Sequence, residues 1–284
     1  MKSSICTILV STLLTSCATT ITQSTVFQPQ ADNRRAPGST LEIEREDDLR
    51  SSNALVHGRI TTSFGTIATS HAKTGSNRLI VACMGNAGDR KTDGIGYLNG
   101  LVPYGDALVF DYPGYGDSAG SPSLQDFEIT IDAIAEHAAK ADYDELVVWG
   151  HSLGGFVCGE IAKALGSAAD AMIFETTASN VDAVTDAWLP WYAKPFVRLR
   201  IDEGLRSYDN VAAMADFHGP IAVLGATKDR QLPVKLSREL AEGLTATGKA
   251  VTYIEFEGAR HMNVSTHADY AARMTSFFEA QLTP

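Results

Sequence analysis

The sequence predicts an α/β domain: a mostly parallel eight-stranded sheet with helices on both faces and a small cap insertion. Three observations carry that reading. Short runs rich in Val, Ile and Leu alternate with longer Ala- and Leu-bearing stretches of helical length, and such alternation implies parallel strands joined by helices on both faces of a sheet. The 284 residues are 44% hydrophobic and 20% charged, the balance of a globular chain with room for one α/β unit. Polar residues able to do chemistry fall in loops just past the ends of the apolar runs, where open α/β sheets place their ligands.

In chain order, Met1 and Lys2 precede the apolar run Ile5 to Leu14, which is too short to span a bilayer and fits a secretory signal peptide over residues 1–16. Leu14-Thr15-Ser16-Cys17 resembles the lipobox of bacterial lipoproteins. Lipidation at Cys17 would then tether the chain to the cell envelope through several acyl chains. Ala18 at the second mature position favours the outer membrane in a Gram-negative host. Thr19 to Thr40 is rich in Thr, Gln, Ser and Pro, so residues 17–40 read as the lipidated cysteine and a flexible tether, with the acidic stretch Glu42 to Asp48 at its end. The folded domain spans 41–284.

Within it, strands are expected near 55–62, 65–71, 78–83, 106–110, 145–149, 170–174, 220–224 and 250–256, and helices near 124–140, 153–166, 233–246 and 266–281. The first two strands have no helix between them and predict an antiparallel hairpin at one edge. Between Phe174 and Pro220 lie about 45 residues, longer than an ordinary connection. Here a cap is expected over about 176–215. Its Trp188, Trp191, Tyr192 and Phe196 either line an acyl pocket or pack the cap onto the sheet.

The most informative segment is Leu146-Val147-Val148-Trp149-Gly150-His151-Ser152-Leu153-Gly154-Gly155. An apolar strand runs into Gly-x-Ser-x-Gly and then into a helix, the pattern of a nucleophile elbow. A serine on so sharp a turn needs glycine two residues away on either side, because larger side chains would collide. Downstream, Asp229 follows the run Pro220 to Gly225, and His261 follows the run Val251 to Phe256. Ser152, Asp229 and His261 therefore supply nucleophile, acid and base. The tetrahedral oxyanion also needs two N–H donors, and the best placed are the backbone amides of Leu153 and of Asn86, in the loop after Arg78 to Cys83.

The order Ser152, Asp229, His261 and the elbow together resemble the α/β-hydrolase superfamily. More narrowly, Met84-Gly85-Asn86-Ala87-Gly88 and Asp111-Tyr112-Pro113-Gly114-Tyr115-Gly116-Asp117-Ser118 are similar to a subgroup whose oxyanion segment reads His-Gly-Asn-Ala-Gly. The resemblance covers residues 55 to 284 and implies a serine hydrolase. One residue departs from it. Met84 stands where that subgroup has His, and a change in loop packing or rate is the expected consequence.

Other candidates are weaker. Glu175, at the end of the preceding strand, is the alternative acid. His151 reads as a packing residue beside the nucleophile, and His267 falls on the expected last helix. Asp111 and Asp117 are expected to brace their loop through backbone N–H groups, while His57, His71, His137 and His218 have no constellation around them. Cys83 and Cys158 are expected as two small buried thiols, although an exported compartment permits a bridge. No spacing suggests a metal site, and no cofactor is expected.

A formal charge of −11 disfavours nucleic acid as a partner and gives no attraction to anionic lipid, so membrane contact would come from the lipid anchor. The expected activity is cleavage of carboxylic esters or thioesters, with small or medium acyl esters as substrates. Acyl transfer by the same triad, and non-catalytic binding by a lipoprotein on a hydrolase scaffold, are the alternatives.

Overall fold

The structure is a computed structural model and describes residues 17–29, 49, 54–189, 191–192, 194 and 196–282. The expected signal peptide, the remainder of the tether and the acidic stretch Glu42 to Asp48 lie outside the described residues.

The strands are β1 (Cys17–Ile21), β2 (Ala54–Thr62), β3 (Gly65–Lys73), β4 (Arg78–Cys83), β5 (Asp106–Phe110), β6 (Glu145–His151), β7 (Ala171–Glu175), β8 (Val197–Ile201), β9 (Ile221–Ala226) and β10 (Val251–Phe256). The helices are α1 (Gln23–Val26), α2 (Gly94–Leu101), α3 (Leu124–Ala139), α4 (Leu153–Leu165), α5 (Val181–Trp188), α6 (Glu203–Arg206), α7 (Asn210–Ala213), α8 (Val234–Ala246) and α9 (Tyr270–Gln281). Eight strands form the main sheet in the order β10-β9-β7-β6-β4-β5-β3-β2. All neighbours from β10 to β5 are parallel, while β2 and β3 form the expected antiparallel edge hairpin. This is the α/β-hydrolase fold.

The period of two along each strand divides the core between the faces. In β4, Leu79, Val81 and Cys83 join Phe127, Ile131 and Ile134 of α3 and Phe156 and Ile161 of α4. Ile80, Ala82 and Met84 face the other way, toward Leu98 and Leu101 of α2 and Met274, Phe277 and Phe278 of α9. Met84 is thus a fully buried core side chain, with its carbonyl accepting the Tyr112 hydroxyl at 2.5 Å.

Two expectations change. Cys83 and Cys158 are joined in a disulfide, because α4 crosses β4 closely enough to bring their Cα atoms to 5.7 Å. A bridge closing a loop of that separation, 75 residues, contributes on the order of 4 kcal/mol by constraining the unfolded chain. Residues 17–29, read as part of a tether, are docked instead. β1 pairs in parallel with β8 from Cys17↔Val197 to Ile21↔Ile201, and Phe27 is buried with its ring stacked on Phe127 at 4.2 Å. The composition is polar enough to suggest a linker, yet one aromatic ring, a strand edge and hydrogen bonds joining Gln23, Val26 and Gln28 to the domain hold the segment.

The connection between β7 and β9 holds α5, β8, α6 and α7. Of its aromatics, Trp188, Trp191, Tyr192 and Phe196 are between 58% and 83% exposed, whereas Tyr208 and Phe217 are buried in the core.

Candidate active site

Ser152 sits between β6 and α4 with φ 56° and ψ −122°, a region that costs a β-carbon-bearing residue on the order of 1–3 kcal/mol. Packing forces the turn. A Cβ on Gly150 would strike the Gly154 carbonyl, and one on Gly154 would strike the Cys83 carbonyl. The turn is pinned by the Ser152 N–H donating to the Glu175 carbonyl (3.0 Å) and by the Ser152 carbonyl accepting from Thr177 Oγ1 (2.8 Å). Two further non-glycine residues have positive φ among those described, Ala87 and Thr176, and both flank this turn's surroundings. Strain gathered around one groove is a mark of function.

Three side chains converge there. His261 Nε2 lies 2.8 Å from Ser152 Oγ, and His261 Nδ1 lies 2.6 Å from Asp229 Oδ2. The loop after β9 turns so that the N–H groups of Gln231 and Leu232 both donate to Asp229 Oδ1, at 2.8 and 2.9 Å. With one oxygen held by two amides, the other points at the imidazole. Asp229 and His261 are both buried. Such a chain can pass the Ser152 proton to Nε2 while the carboxylate supports the imidazolium.

The sequence undervalued His151. Its Nε2 donates to the His261 carbonyl at 3.0 Å, and its Nδ1 accepts from the Tyr97 hydroxyl at 2.7 Å. That hydroxyl in turn accepts from the Gly85 N–H at 3.0 Å. Burial and the neighbouring His261 lower the His151 pKa to about 4, so the ring is neutral, and the tautomer follows from its partners. His151 and Tyr97 therefore link the loop before Asn86 to the backbone of His261. A histidine next to the nucleophile was the available signal; Tyr97 on α2 gave none.

The segment 84–93, which carries Asn86, is held from two sides. Asn86 Oδ1 accepts from the Gln28 N–H (3.1 Å) and from the Tyr115 hydroxyl (2.8 Å), and Nδ2 donates to the Val26 carbonyl (2.6 Å). At its other end Asp111 accepts the N–H groups of Arg90 and Asp117, as expected for a loop brace. Asp117 instead pairs with Arg90 and Lys91, side chains whose burial the sequence did not reveal. Asn86, Ser152 and His261 line one cavity of about 160 Å³ with Gly85, Gly88 and Gln231.

Glu175 makes no hydrogen bond to His261, although the two interact electrostatically. Its Oε2 accepts the Trp149 indole N–H at 2.9 Å, and burial pushes its pKa up to about 7. Asp229 occupies the acid's place. His267 lies away from the groove, before α9 rather than on it, with Nε2 donating to the Glu257 carbonyl. Among the described residues no group of His, Cys, Asp and Glu is arranged to hold a metal ion.

Fold and site together define a hydrolase of the α/β-hydrolase class. Within that class the chain belongs to the prolyl oligopeptidase family, whose model matches residues 114–284. It is similar to the uncharacterized protein Rv2307c of Mycobacterium tuberculosis, 26% identical over 238 residues that cover 82% of this chain and 75% of that protein. It is also similar to the lysophosphatidylserine lipase ABHD12 of Danio rerio, 29% identical over 66% of this chain and 54% of that one, so it spans about half of that relative. Among solved structures, the Pyrococcus furiosus esterase Pf2001 superposes with a TM-score of 0.67 at 16% identity, covering 90% of this chain and 98% of that one, a likeness of fold.

Proposed function

We propose that the protein is a serine hydrolase that cleaves carboxylic esters or thioesters through an acyl-enzyme. The observation that carries the reading is the unbroken path from Ser152 Oγ through His261 to Asp229 at the tip of a strained turn. Neutral His261 takes the Ser152 proton as Oγ attacks the acyl carbonyl. The N–H groups of Asn86 and Leu153 stabilise the oxyanion, and His261 then gives the proton to the leaving alcohol or thiol. Water, deprotonated by His261, releases the acid and restores Ser152. The esterase and lipase among its relatives and structural neighbours support an ester as the bond cleaved.

The test is labelling of the full chain with a fluorophosphonate probe. Wild type is expected to label and Ser152→Ala to stay unlabelled; a folded wild-type protein that takes no label would refute the reading.

We further propose that the chain is lipidated at Cys17 and held at the cell envelope, the outer membrane in a Gram-negative host. The apolar run Ile5 to Leu14 and the Leu-Thr-Ser-Cys segment support this. So does position: β1 begins at Cys17 opposite Val197, the residue that follows the exposed Phe196. Aromatic rings of this kind favour a membrane interface. Among the described residues no helix is long and apolar enough to cross a membrane. Cys17→Ser should move the protein out of the membrane fraction, and unchanged fractionation would end the proposal.

A further inference from the structure

A second cavity, of about 390 Å³, adjoins the one at Ser152 and shares with it Asp93, Tyr97, His151 and Met262. Sequence reasoning gave no hint of it, and the reaction at Ser152 makes no use of it. It lies between α2, the carboxyl ends of β6 and β7, and the start of α9. Its volume falls within the range of small-molecule sites.

The charge of its wall is one-sided. Glu175 and Asp93 contribute carboxyl groups, and no lysine or arginine is among the lining residues. Trp149, Tyr97 and Tyr270 contribute aromatic surface. His151 is neutral and adds no positive charge. Among the described residues Glu175 receives one hydrogen bond, from Trp149 to Oε2, which leaves Oε1 for a ligand. A desolvated carboxyl group with one oxygen unanswered is costly to ionise. Its raised pKa, about 7, follows from that burial, and a cation in the cavity would offset the cost. Carboxylate and aromatic faces around one space are the combination that holds alkylammonium groups, by ion pairing and by cation–π attraction.

We propose that this cavity binds an ammonium group carried by the substrate, and that Glu175 is its principal anchor. The inference deepens the ester-hydrolase reading and rests on it for turnover. It names the substrate class as acyl esters that bear an alkylammonium group within reach of the scissile bond. Asp93 adds negative potential to the same space while its Oδ2 accepts from Thr92 Oγ1. An uncharged acyl tail in this space would leave Glu175 Oε1 unanswered, which is why the ammonium is favoured over a hydrocarbon chain.

The experiment compares butyrylcholine with its uncharged isostere, dimethylbutyl butyrate, at pH 8, where Glu175 is ionised. Wild type is expected to favour the cationic ester by about tenfold in kcat/KM, mostly through KM, since a desolvated cation on aromatic faces beside a carboxylate contributes about that ratio. Glu175→Gln, which keeps an acceptor for the Trp149 N–H, should bring the ratio close to one, and Glu175→Asp should retain part of it. A binding arm separates this proposal from the catalytic one. With Ser152→Ala, titration of choline followed by tryptophan fluorescence should give saturable binding that Glu175→Gln weakens about tenfold. Failure of wild type to hydrolyse either ester, with choline binding intact, would overturn the hydrolase reading and leave the cavity assignment standing. Equal kcat/KM for the two esters in wild type, or choline binding unaffected by Glu175→Gln, would overturn the cavity assignment.

Discussion

Asp229 and Glu175 leave adjacent strands of the same sheet, β9 and β7, on the same side of the groove, yet their surroundings differ in kind. Asp229 receives two loop N–H groups on one oxygen and an imidazole on the other. Glu175 receives one indole N–H and is otherwise buried against a cavity. The difference shows that the partners aimed at a carboxyl group decide what it can do. Asp229 is set to orient a base, whereas Glu175, driven toward its neutral form chiefly by burial, keeps one oxygen open to a ligand.

The largest effect that distinguishes them should come from removing the charge at each. Asp229→Asn keeps the shape but presents an amide to His261 Nδ1, which favours the wrong tautomer at Nε2. A fall of about 10⁴-fold in kcat is expected for such a change, measured on a simple uncharged ester at saturation. Glu175→Gln should lower kcat on the same ester by no more than about tenfold, because Glu175 reaches His261 only through its field and not through a hydrogen bond. If the two variants lost comparable kcat, the distinction between orienting acid and ligand anchor would collapse.

A second difference is thermodynamic. The Glu175 carboxyl has its pKa raised from an ordinary 4.5 to about 7 in the folded protein. A raised acid binds its proton more tightly in the folded chain, so its contribution to stability is complete below pH 4.5 and is lost as pH rises through 7. At about 1.4 kcal/mol per pKa unit, Glu175→Gln should gain on wild type by up to about 3 kcal/mol between pH 4.5 and 8. Asp111, whose pKa burial raises to about 6, acts in the same direction but is present in both proteins, so their difference isolates Glu175. Denaturant unfolding at pH 5 and pH 8 measures it. A gap between the proteins that stays constant with pH would mean that Glu175 is solvated and already charged.

Legibility in the sequence followed the range over which each feature is specified. The turn at Ser152 is written locally, because Gly150 and Gly154 are demanded by neighbours within a few residues and by the adjoining strand. Asp229 and His261 each follow a strong apolar run, so their places beyond strand ends were readable, as were all eight strands of the main sheet. The cavity wall was not readable. α2 reads Gly94-Ile95-Gly96-Tyr97-Leu98-Asn99-Gly100-Leu101, and three glycines weaken helix propensity enough to hide the pattern. It is helical because Leu98 and Leu101 are buried against β5 and α9, which is tertiary information. The Cys83–Cys158 bridge and the docking of Phe27 on Phe127 are also contacts between distant residues with no spacing motif. Short polar residues around Phe27 describe a linker equally well.

The smallest effect tests the wall that the two cavities share. Tyr97 accepts the Gly85 N–H and donates to His151 Nδ1, so it ties the loop that presents Asn86 to the residue that holds the His261 backbone. Tyr97→Phe removes both bonds without removing the ring. The Gly85 N–H and His151 Nδ1 are then left without their partner, at a cost of about 1–3 kcal/mol in stability. If the link serves only packing, kcat on the uncharged ester stays near wild type. If it aligns the Asn86 amide with His261, kcat falls about tenfold with little change in KM, because alignment matters in the transition state more than in binding. The second outcome is expected. It would make the wall between the cavities a positioning element for the chemistry at Ser152, so that the ammonium site and the nucleophile site are coupled through Tyr97 and His151 rather than merely adjacent.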